Sequence, residues 1–510
     1  MAQETEDRFV SPHVEDKHRF AELLERTSDI IAKHLQERES LPVDCSVPPK
    51  AVHEELMKQS LPSEGMTADE ILTFVESYIV PWAMPMTHPR SYGWVNSPPA
   101  PAGILCEAIA TAMKGGLDSS DTPSACLMHS LGRWLMELSG FVDESGTPHG
   151  IALLLAGGSA ANLNALTVAR FWAARRDGWN IREEGLQGDR PAMVYYTSAE
   201  AHSSVQLCVE QLGIGTCNLR RIPTDEAFRM RPDALRARVE ADLSEGMRPA
   251  CVIGSCGSTN VGAIDPIDEL ADICEAFDLW LHVDGAYGGI AGLDPAYTQA
   301  TRALNRVDSL TLDPHKWLQA PLDCGALLAR DSRINQANYS LVPDYLASSN
   351  VEDGMSPEPW EHMFELTFAD RSLKTWASIA RLGREGVRKM VINCNNLARL
   401  LGERVEEAHD LEILSPPSIS TVNFRYTPTE AELSDRQLDT LNQKISDAIA
   451  HSGEAHIPTT KVHGAVSLRA CFLHYENREE DVHHLVALVQ KFGDMMLKAT
   501  PNDTGTHPAS

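Results

Sequence analysis

The sequence contains few basic residues for its number of acidic ones. It has 44 Lys and Arg against 72 Asp and Glu, and its formal net charge is −28. Nucleic acids and anionic membranes would repel so acidic a protein. We therefore expect neither as a partner, although a local pocket can still be positive enough to hold an anionic cofactor.

Long apolar runs and a secretory leader are also absent from the sequence. No run approaches the roughly 20 apolar residues that a transmembrane helix needs. The start, MAQETEDRF, lacks a basic region followed by an apolar stretch. The 11 cysteines are dispersed, without a Cys-x-x-Cys pair, which indicates reduced thiols rather than a disulfide framework. These absences predict a cytoplasmic protein.

The 510 residues are enough for about three structural units. An N-terminal helical segment is predicted for residues 1–95, because apolar residues recur at helical spacing from Phe20 and again from Ala68. A small α+β domain is predicted for residues 386–496, and a disordered tail for residues 497–510.

Residues 96–385 are predicted to form a large α/β domain. Short apolar runs alternate there with amphipathic helical patterns, which is typical of a mostly parallel sheet covered by helices. The predicted strands are 151–156, 192–198, 250–255, 279–284, 308–313 and 324–329.

Three features of this domain can carry chemistry. Asp284 ends a strand just before a run of glycines, and ligands of parallel sheets bind beyond the carboxyl ends of strands. Lys316 follows another strand in a largely apolar setting, where desolvation lowers the pKa of a lysine and makes it a Schiff-base nucleophile. In LLLAGGSAANLNAL, two glycines join a strand to a helix that starts near Ser159, and such helix starts bind phosphate.

Each feature alone also has an ordinary structural explanation: a turn-capping Asp, a surface lysine, a plain strand-to-helix turn. The glycine pair begins neither a Walker loop nor a G-x-G-x-x-G fingerprint, so nicotinamide binding is not supported. Together, however, a phosphate cradle, a strand-end carboxylate and a post-strand lysine are the groups that pyridoxal phosphate needs. We assign no metal ligands.

Several motifs resemble those of the group II pyridoxal-phosphate-dependent amino-acid decarboxylases, across residues 70–490. They are SAEAHSSV around His202, GSTNVGAIDPI from Gly257, HVDGAYGG, and DPHKW followed by DCGALL. HPRSYGW, WEHMFEL, DRSLK and SPPSISTVNFRY make the resemblance closest to bacterial tryptophan and aromatic-L-amino-acid decarboxylases. The resemblance implies a fold-type I enzyme that acts as a homodimer, with its N-terminal segment wrapped around the second subunit.

The resemblance also implies roles for individual residues. Lys316 would carry the cofactor, Asp284 would face its pyridine nitrogen, and His202 would stack on the ring face opposite Ala286. A loop tyrosine donates a proton to Cα in the family, which points to Tyr345. The implied cofactor-binding residues are Gly158, Ser159, His202, Thr259, Asp284, Ala286, Asp313, His315 and Lys316. The implied substrate-binding residues are Trp94, Val95, Ser97, Trp360 and Thr367.

The predicted reaction converts an L-amino acid to its amine and carbon dioxide, through a Lys316 aldimine and a quinonoid carbanion. Trp94 and Val95 favour an apolar or aromatic substrate side chain. Asn96 departs from the family, because relatives with aromatic substrates often have proline there. Alternatives that stay open are a non-aromatic substrate, an aminotransferase or desulfurase, another fold-type I lyase, an aldehyde synthase, and an inactive binding homologue. The AHSSV and DPHKW motifs favour a decarboxylase.

Overall fold

The computed structural model of the protein describes residues 11–43, 49–83, 85–113, 122–341 and 359–499. Four helices come first, and they confirm the helical character predicted for the N-terminal segment. They are α1 (Pro12–His18), α2 (Phe20–Glu37), α3 (Lys50–Met57) and α4 (Ala68–Tyr78).

Local chemistry explains where α4 begins and how it is held against α2. Thr67 is the N-cap of α4, and its hydroxyl accepts a hydrogen bond from the Glu70 N–H at 3.2 Å while the Glu70 carboxylate accepts from the Thr67 N–H at 2.8 Å. Arg19 donates to Asp69 across the two helices at 2.9 Å. The cap at Thr67 therefore sets the start of α4 at Ala68.

The large domain contains a seven-stranded sheet. Its strands are β1 (Ile151–Leu155), β2 (Met193–Ser198), β3 (Leu219–Ile222), β4 (Arg248–Ser255), β5 (Trp280–Asp284), β6 (Ser309–Leu312) and β7 (Gly325–Ala329). The spatial order is β1-β7-β6-β5-β4-β2-β3, and β7 runs antiparallel to both of its neighbours while the others pair in parallel. The predicted mostly parallel α/β sheet is confirmed.

All six predicted strands of this sheet are present, but β3 was missed. Its sequence, LRRI, places Arg220 and Arg221 in the middle of a four-residue strand, so no apolar run marks it. β3 lies at the edge of the sheet, where charged side chains are common because one side of the strand meets solvent.

Nine helices accompany this sheet within the described residues. They are α5 (Pro101–Ala112), α6 (Pro123–Ser139), α7 (Gly158–Arg176), α8 (Ile181–Glu184), α9 (Ser203–Gln211), α10 (Pro232–Ser244), α11 (Ile267–Phe277), α12 (Thr298–Thr301) and α13 (Ser332–Tyr339). Helix α7 contacts β4, β5, β6 and β7, so it packs across the centre of the sheet.

The small domain follows a long helix, α14 (Ser372–Glu407), which is broken at Gly383, where φ is 64°. The elements of the small domain after α14 are β8 (Leu411–Ser418), β9 (Thr421–Tyr426), α15 (Asp435–Ser452), β10 (Thr459–Val462), β11 (Ala465–Cys471) and α16 (Glu479–Ala499). The four strands form an antiparallel sheet in the order β10-β11-β9-β8. The predicted small α+β unit is confirmed.

The two edge strands of the small sheet, β8 and β10, were not predicted from the sequence. Strand β8 contains Pro416 and Pro417, which cannot donate ladder hydrogen bonds and therefore argue against a strand. Proline is tolerated here because β8 is an edge strand.

Helix α16 continues to Ala499, so it includes the first three residues of the predicted tail. The predicted boundary after residue 385 falls inside α14, two residues beyond its break at Gly383.

No helix in the part of the chain that the structure describes is both long and apolar enough to cross a membrane.

Candidate active site

The carboxyl ends of the parallel strands surround a cavity of about 480 Å³. Strands β2, β4, β5 and β6 all end at this side of the sheet, which is where ligands of α/β proteins bind. All nine residues predicted to bind the cofactor line this cavity. They are Gly158, Ser159, His202, Thr259, Asp284, Ala286, Asp313, His315 and Lys316.

The N-terminus of α7 forms one wall of the cavity. The helix begins at Gly158, and the N–H groups of its first turn have no partner inside the helix, so they are available to an anion. A Cβ at Gly158 would lie 2.8 Å from Asp313 Oδ2 and 3.1 Å from the Ala286 Cβ. Glycine is therefore required here because the space is already shared by neighbouring side chains.

Asp284 occupies the end of β5, at the base of the cavity. Its Oδ2 accepts a hydrogen bond from the Asn162 side-chain amide at 2.8 Å, and its Oδ1 accepts from the Ala286 N–H at 3.2 Å. Each carboxylate oxygen thus accepts one hydrogen bond, and the two bonds fix the orientation of the side chain. The arrangement holds a negative charge at a defined place in the cavity.

His202 precedes α9 on another side of the cavity. Its Nδ1 accepts a hydrogen bond from the Ser204 N–H at 3.2 Å and lies 2.8 Å from the Ser204 hydroxyl. These two contacts fix the orientation of the imidazole ring. His202 lines the cavity and is exposed, so its ring is not part of the protein core.

Lys316 lies on the loop after β6, where its Nζ is 3.1 Å from Asp313 Oδ2. His315 Nε2 is 3.7 Å from the same oxygen, and burial lowers the pKa of His315 below its usual value while the Asp313 carboxylate opposes that shift. Asp313 Oδ1 is buried and has no protein partner among the described residues. The lysine is thus held by a buried carboxylate at the cavity wall.

The small domain reaches the cavity through the loop that contains Thr259. Arg469 on β11 is 8% exposed and donates to the Thr259 carbonyl at 2.7 Å. Asn260 donates to the Lys461 carbonyl at 3.0 Å, and Asn423 donates to the Asn260 carbonyl at 3.0 Å. Sequence reasoning did not identify these contacts, because the partners are about 200 residues apart in the chain.

The residues predicted to bind substrate lie outside the set that lines the cavity. Ser97 is the one with direct contacts to the lysine loop, since its hydroxyl donates to the carbonyls of His315 and Lys316. Val95 packs against the main core, and Trp94 is 48% exposed with a left-handed backbone, φ 55°. The segment that contains these three residues therefore runs beside Lys316.

The other predicted substrate residues are farther along the chain. Trp360, in the 3₁₀ turn Pro359–His362, is partly buried against the main core, while Thr367 is exposed. Tyr345, the predicted proton donor, lies outside the described residues.

Sequence reasoning missed several polar residues of the cavity wall. Asn162, Ser204, Ser255 and Ser258 all line it. A signal for Asn162 existed: it follows Gly158 by one helical turn, so it shares the face of α7 that points towards the strand ends.

These residues fit pyridoxal phosphate. The helix start at Gly158, with Ser159 and Thr259 nearby, offers N–H and O–H donors to a phosphate. Asp284 offers an anion to a protonated pyridine nitrogen, and Lys316 offers an amine to an aldehyde. The missing side chain at Gly158 leaves the donors accessible.

Comparisons with known proteins agree with this fit. The family model of the pyridoxal-dependent decarboxylase conserved domain matches residues 49–427. An aromatic-L-amino-acid decarboxylase of Bacillus atrophaeus is 30% identical over 473 residues, 91% of this chain and 94% of that protein. An L-2,4-diaminobutyrate decarboxylase of Acinetobacter baumannii is 28% identical over 439 residues, 84% of each chain.

A solved structure, Oryza sativa TDC with PLP and tryptamine, superposes with a TM-score of 0.87 at 25% identity. The match covers 97% of this chain and 100% of that one. The family match over most of the chain and the fit of the cavity to the cofactor lead to one conclusion. The chain belongs to the pyridoxal-dependent decarboxylases, the amino-acid carboxy-lyases that use pyridoxal phosphate as their cofactor.

Proposed function

We propose that this protein removes the α-carboxylate of an aromatic L-amino acid and releases the amine and carbon dioxide. The observation that carries the proposal is the convergence of Lys316, Asp284 and the N-terminus of α7 on one cavity. No two of these three groups are neighbours in the sequence, so the fold has brought together the parts that the cofactor requires.

The chain's own residues would hold the cofactor at both ends. The first turn of α7, with Ser159 and Thr259, would bind the phosphate, and Lys316 would form the covalent attachment. When bound, pyridoxal phosphate would supply the electron sink for the electron pair of the broken Cα–carboxylate bond. Asp284 would keep the pyridine nitrogen protonated, because its carboxylate is fixed within the cavity by two hydrogen bonds.

His202 and Ala286 would set the position of the ring. His202 is held by Ser204, and Ala286 also lines the cavity, where its small side chain leaves room for a ring. A ring held between two faces keeps the Cα substituents in a fixed orientation, and only the bond perpendicular to the ring is cleaved efficiently. This positioning is the specific contribution of the protein to decarboxylation.

The segment of Trp94, Val95 and Ser97 supports an aromatic substrate. Ser97 ties the segment to the lysine loop, and the exposed Trp94 ring lies three residues before it. Trp94 and Val95 are apolar, and an apolar surface suits an aromatic side chain better than a charged one. Among the relatives, the aromatic-L-amino-acid decarboxylase of Bacillus atrophaeus matches nearly the whole chain, and the Oryza sativa structure contains tryptamine.

The test is a substrate panel with the purified holoenzyme. Carbon dioxide release and amine formation are measured for the aromatic L-amino acids, for L-2,4-diaminobutyrate, and for L-glutamate and L-aspartate. We expect kcat/KM to be highest for an aromatic member, by about tenfold or more over the others. A tenfold difference corresponds to about 1.4 kcal/mol, which one extra favourable contact can supply. A preference for diaminobutyrate or an acidic amino acid would overturn the substrate assignment but keep the decarboxylase activity.

A variant of Tyr345 tests what distinguishes a simple decarboxylase from an aldehyde synthase. The proposed proton donor to Cα is the phenol of this residue, so phenylalanine in its place removes the donor and keeps the ring. For Tyr345→Phe we expect carbon dioxide release to continue while the product shifts from amine towards aldehyde, with ammonia, peroxide and oxygen consumption. Amine as the sole product at nearly the wild-type rate would remove Tyr345 from the mechanism.

A homodimer is also part of the proposal. Within α1–α4, all of whose residues are described, no residue is buried. Apolar side chains such as Phe20, Leu24 and Met57 are 57%, 48% and 74% exposed. A second copy of the chain would cover these side chains, as the resemblance to the dimeric family implies. The cytoplasmic location predicted from the sequence stays a prediction.

A further inference from the structure

A buried asparagine connects the two side chains that would contact the cofactor ring. Asn162 is 1% exposed, and its amide nitrogen donates to Asp284 Oδ2 at 2.8 Å and to Ser204 Oγ at 3.1 Å. Its amide oxygen accepts from the Thr311 hydroxyl at 2.8 Å and lies 3.1 Å from His282 Nε2. Every donor and acceptor position of the amide is therefore used.

A chain of hydrogen bonds runs from Trp280 through Asn162 to Asp284, and in each bond the donor lies on the Trp280 side. The Trp280 indole can only donate, and it donates to Ser309 Oγ at 3.0 Å. Ser309 Oγ lies 2.9 Å from His282 Nδ1. The far end of the chain is the Asp284 carboxylate, which can only accept when ionised. Each bond between these two ends then donates towards Asp284.

The protonation of His282 agrees with this direction. The ring is fully buried, and burial lowers its pKa to about 4, although the Asp284 charge opposes the shift. His282 is therefore neutral near pH 7. Because the Asn162 oxygen that faces Nε2 can only accept, we assign the one N–H of the ring to Nε2. If the Asn162 amide were turned over, its oxygen would face the carboxylate and its nitrogen would face the His282 N–H, and both contacts would be repulsive.

The same amide is also connected to His202, through the Ser204 hydroxyl. Asn162 donates to Ser204 Oγ, which leaves the Ser204 hydroxyl free to donate to His202 Nδ1 at 2.8 Å. The Ser204 N–H donates to the same nitrogen at 3.2 Å. The Asn162 amide thus restrains Asp284, which would face the pyridine nitrogen, and also His202, which would lie on the ring face.

We propose that Asn162 is a positioning residue, whose amide holds the Asp284 carboxylate in line with the pyridine nitrogen and orients His202 through Ser204. The inference rests on the proposed function, because it concerns how the cofactor ring is held. Asn162 itself would act through Asp284 and Ser204 rather than by touching the reacting atoms.

The test compares two buried asparagines on the same helix. Asn162→Leu removes the amide of the chain, and Asn164→Leu is the matched control, because Asn164 is also 0% exposed and donates only to the His362 carbonyl, at 3.2 Å, among the contacts of the described residues. Each holoenzyme is prepared with cofactor labelled at the pyridine nitrogen, and its ¹⁵N NMR signal, kcat and KM are measured. Thermal unfolding of each apo-protein shows whether the variants fold.

For Asn162→Leu we expect the ¹⁵N signal to move towards its unprotonated position. We also expect kcat to fall by about tenfold to a hundredfold, the effect of losing a hydrogen bond to a charged group, while KM changes little. For Asn164→Leu the ¹⁵N signal should stay at the wild-type position. Equal ¹⁵N signals in the two variants would overturn the inference.

A measurement on the wild-type holoenzyme is independent of how the variants fold. Neutron crystallography of the deuterated protein should show deuterium on Nε2 of His282 and none on the Asp284 oxygen that faces Asn162. Deuterium on Nδ1 with a bare Nε2, or on that Asp284 oxygen, would overturn the inference. Failure of the proposed function is distinguishable, because it appears as an absence of decarboxylation by the wild-type enzyme, whatever the deuterium positions.

Discussion

At the scale of single residues, the chemistry of the site depends on charges held in fixed places. Lys316 Nζ lies 3.1 Å from Asp313, which is buried, and Asp284 receives two hydrogen bonds at the end of β5. A charge that is already fixed before substrate binds needs no reorganisation during the reaction, and such preorganisation is a large term in catalysis. The two carboxylates therefore lie at separate places, and we propose that one acts at the lysine and the other at the pyridine nitrogen.

Replacing the lysine tests the covalent attachment. In Lys316→Ala we expect the cofactor to be held only by the phosphate contacts, so borohydride treatment should leave no covalent label on the protein. Intact-protein mass spectrometry after reduction measures this. Lys444→Ala, a change of an exposed lysine on α15, should label as the wild type does. A labelled Lys316→Ala protein would show that another lysine carries the cofactor.

Gly158 tests the phosphate cradle. The Cβ of Gly158→Ala would lie 2.8 Å from Asp313 Oδ2, so the loop must shift and the N–H groups of α7 move away from the phosphate. We expect cofactor affinity to fall by about tenfold or more, the effect of losing one charge-assisted hydrogen bond. Titration of the apo-protein with pyridoxal phosphate measures it.

Gly65→Ala is the matched control for this change, because a Cβ at Gly65 meets nothing within 4 Å. Its cofactor affinity should equal that of the wild type. An unchanged affinity in Gly158→Ala would instead exclude the α7 start as the phosphate site.

At the scale of elements, α2 is an amphipathic helix whose apolar side is uncovered. Phe20, Leu24 and Ile31 follow one another at helical spacing and are 57%, 48% and 39% exposed. Helix α11 shows the usual alternative, because it buries Ile267, Leu270 and other apolar residues against the sheet. The apolar stripe of α2 is therefore the surface on which the proposed dimer contact depends.

A charge in this stripe should weaken the dimer. Leu24→Glu would place a carboxylate in the proposed contact, where it has to lose its hydration, so we expect the dimer dissociation constant to rise by about tenfold or more. Light scattering coupled to size-exclusion chromatography measures the mass at several concentrations. Gln36→Glu adds the same charge on another side of α2 and should leave the mass unchanged. A monomeric wild type would contradict the dimer itself.

At the scale of the whole molecule, buried histidines couple stability to pH. Burial lowers the pKa of four histidines to about 4, from a usual value of 6.5. They are His88, His282, His362 and His474, and each is no more than 5% exposed. Between these two pKa values the unfolded chain binds protons that the folded protein does not, so these residues make folding less favourable as the pH falls.

We therefore expect their contribution to stability to be complete above about pH 6.5 and to be lost progressively as the pH approaches 4. Each such histidine adds up to about 1.4 kcal/mol per pH unit to the slope of the unfolding free energy. Urea unfolding between pH 7.5 and 5 measures that slope. His474→Asn should reduce this slope by the contribution of about one proton, which is up to about 1.4 kcal/mol per pH unit. His53→Asn, which changes an exposed histidine, should leave the slope unchanged. Equal slopes in both variants would contradict the assignment.

The sequence alone determined the features that have a local cause. Six strands of the large sheet and the helices from Phe20 and Ala68 were predictable, because apolar residues repeat with the period of each element. Nine residues of the cavity lining could be picked out as well, because strand ends, a glycine pair and recognisable motifs mark them. Their convergence on one cavity follows from the parallel sheet, which brings strand ends to one edge.

Only the tertiary structure decided what depends on contacts between distant parts of the chain. The chain of hydrogen bonds from Trp280 to Asp284 passes through Asn162, which is about 120 residues away in sequence. Arg469 reaches Thr259 across 210 residues, and the edge strand β8 forms in spite of its two prolines. No local period or propensity encodes such pairings, because they arise only when separate elements pack together and bury their polar groups against one another.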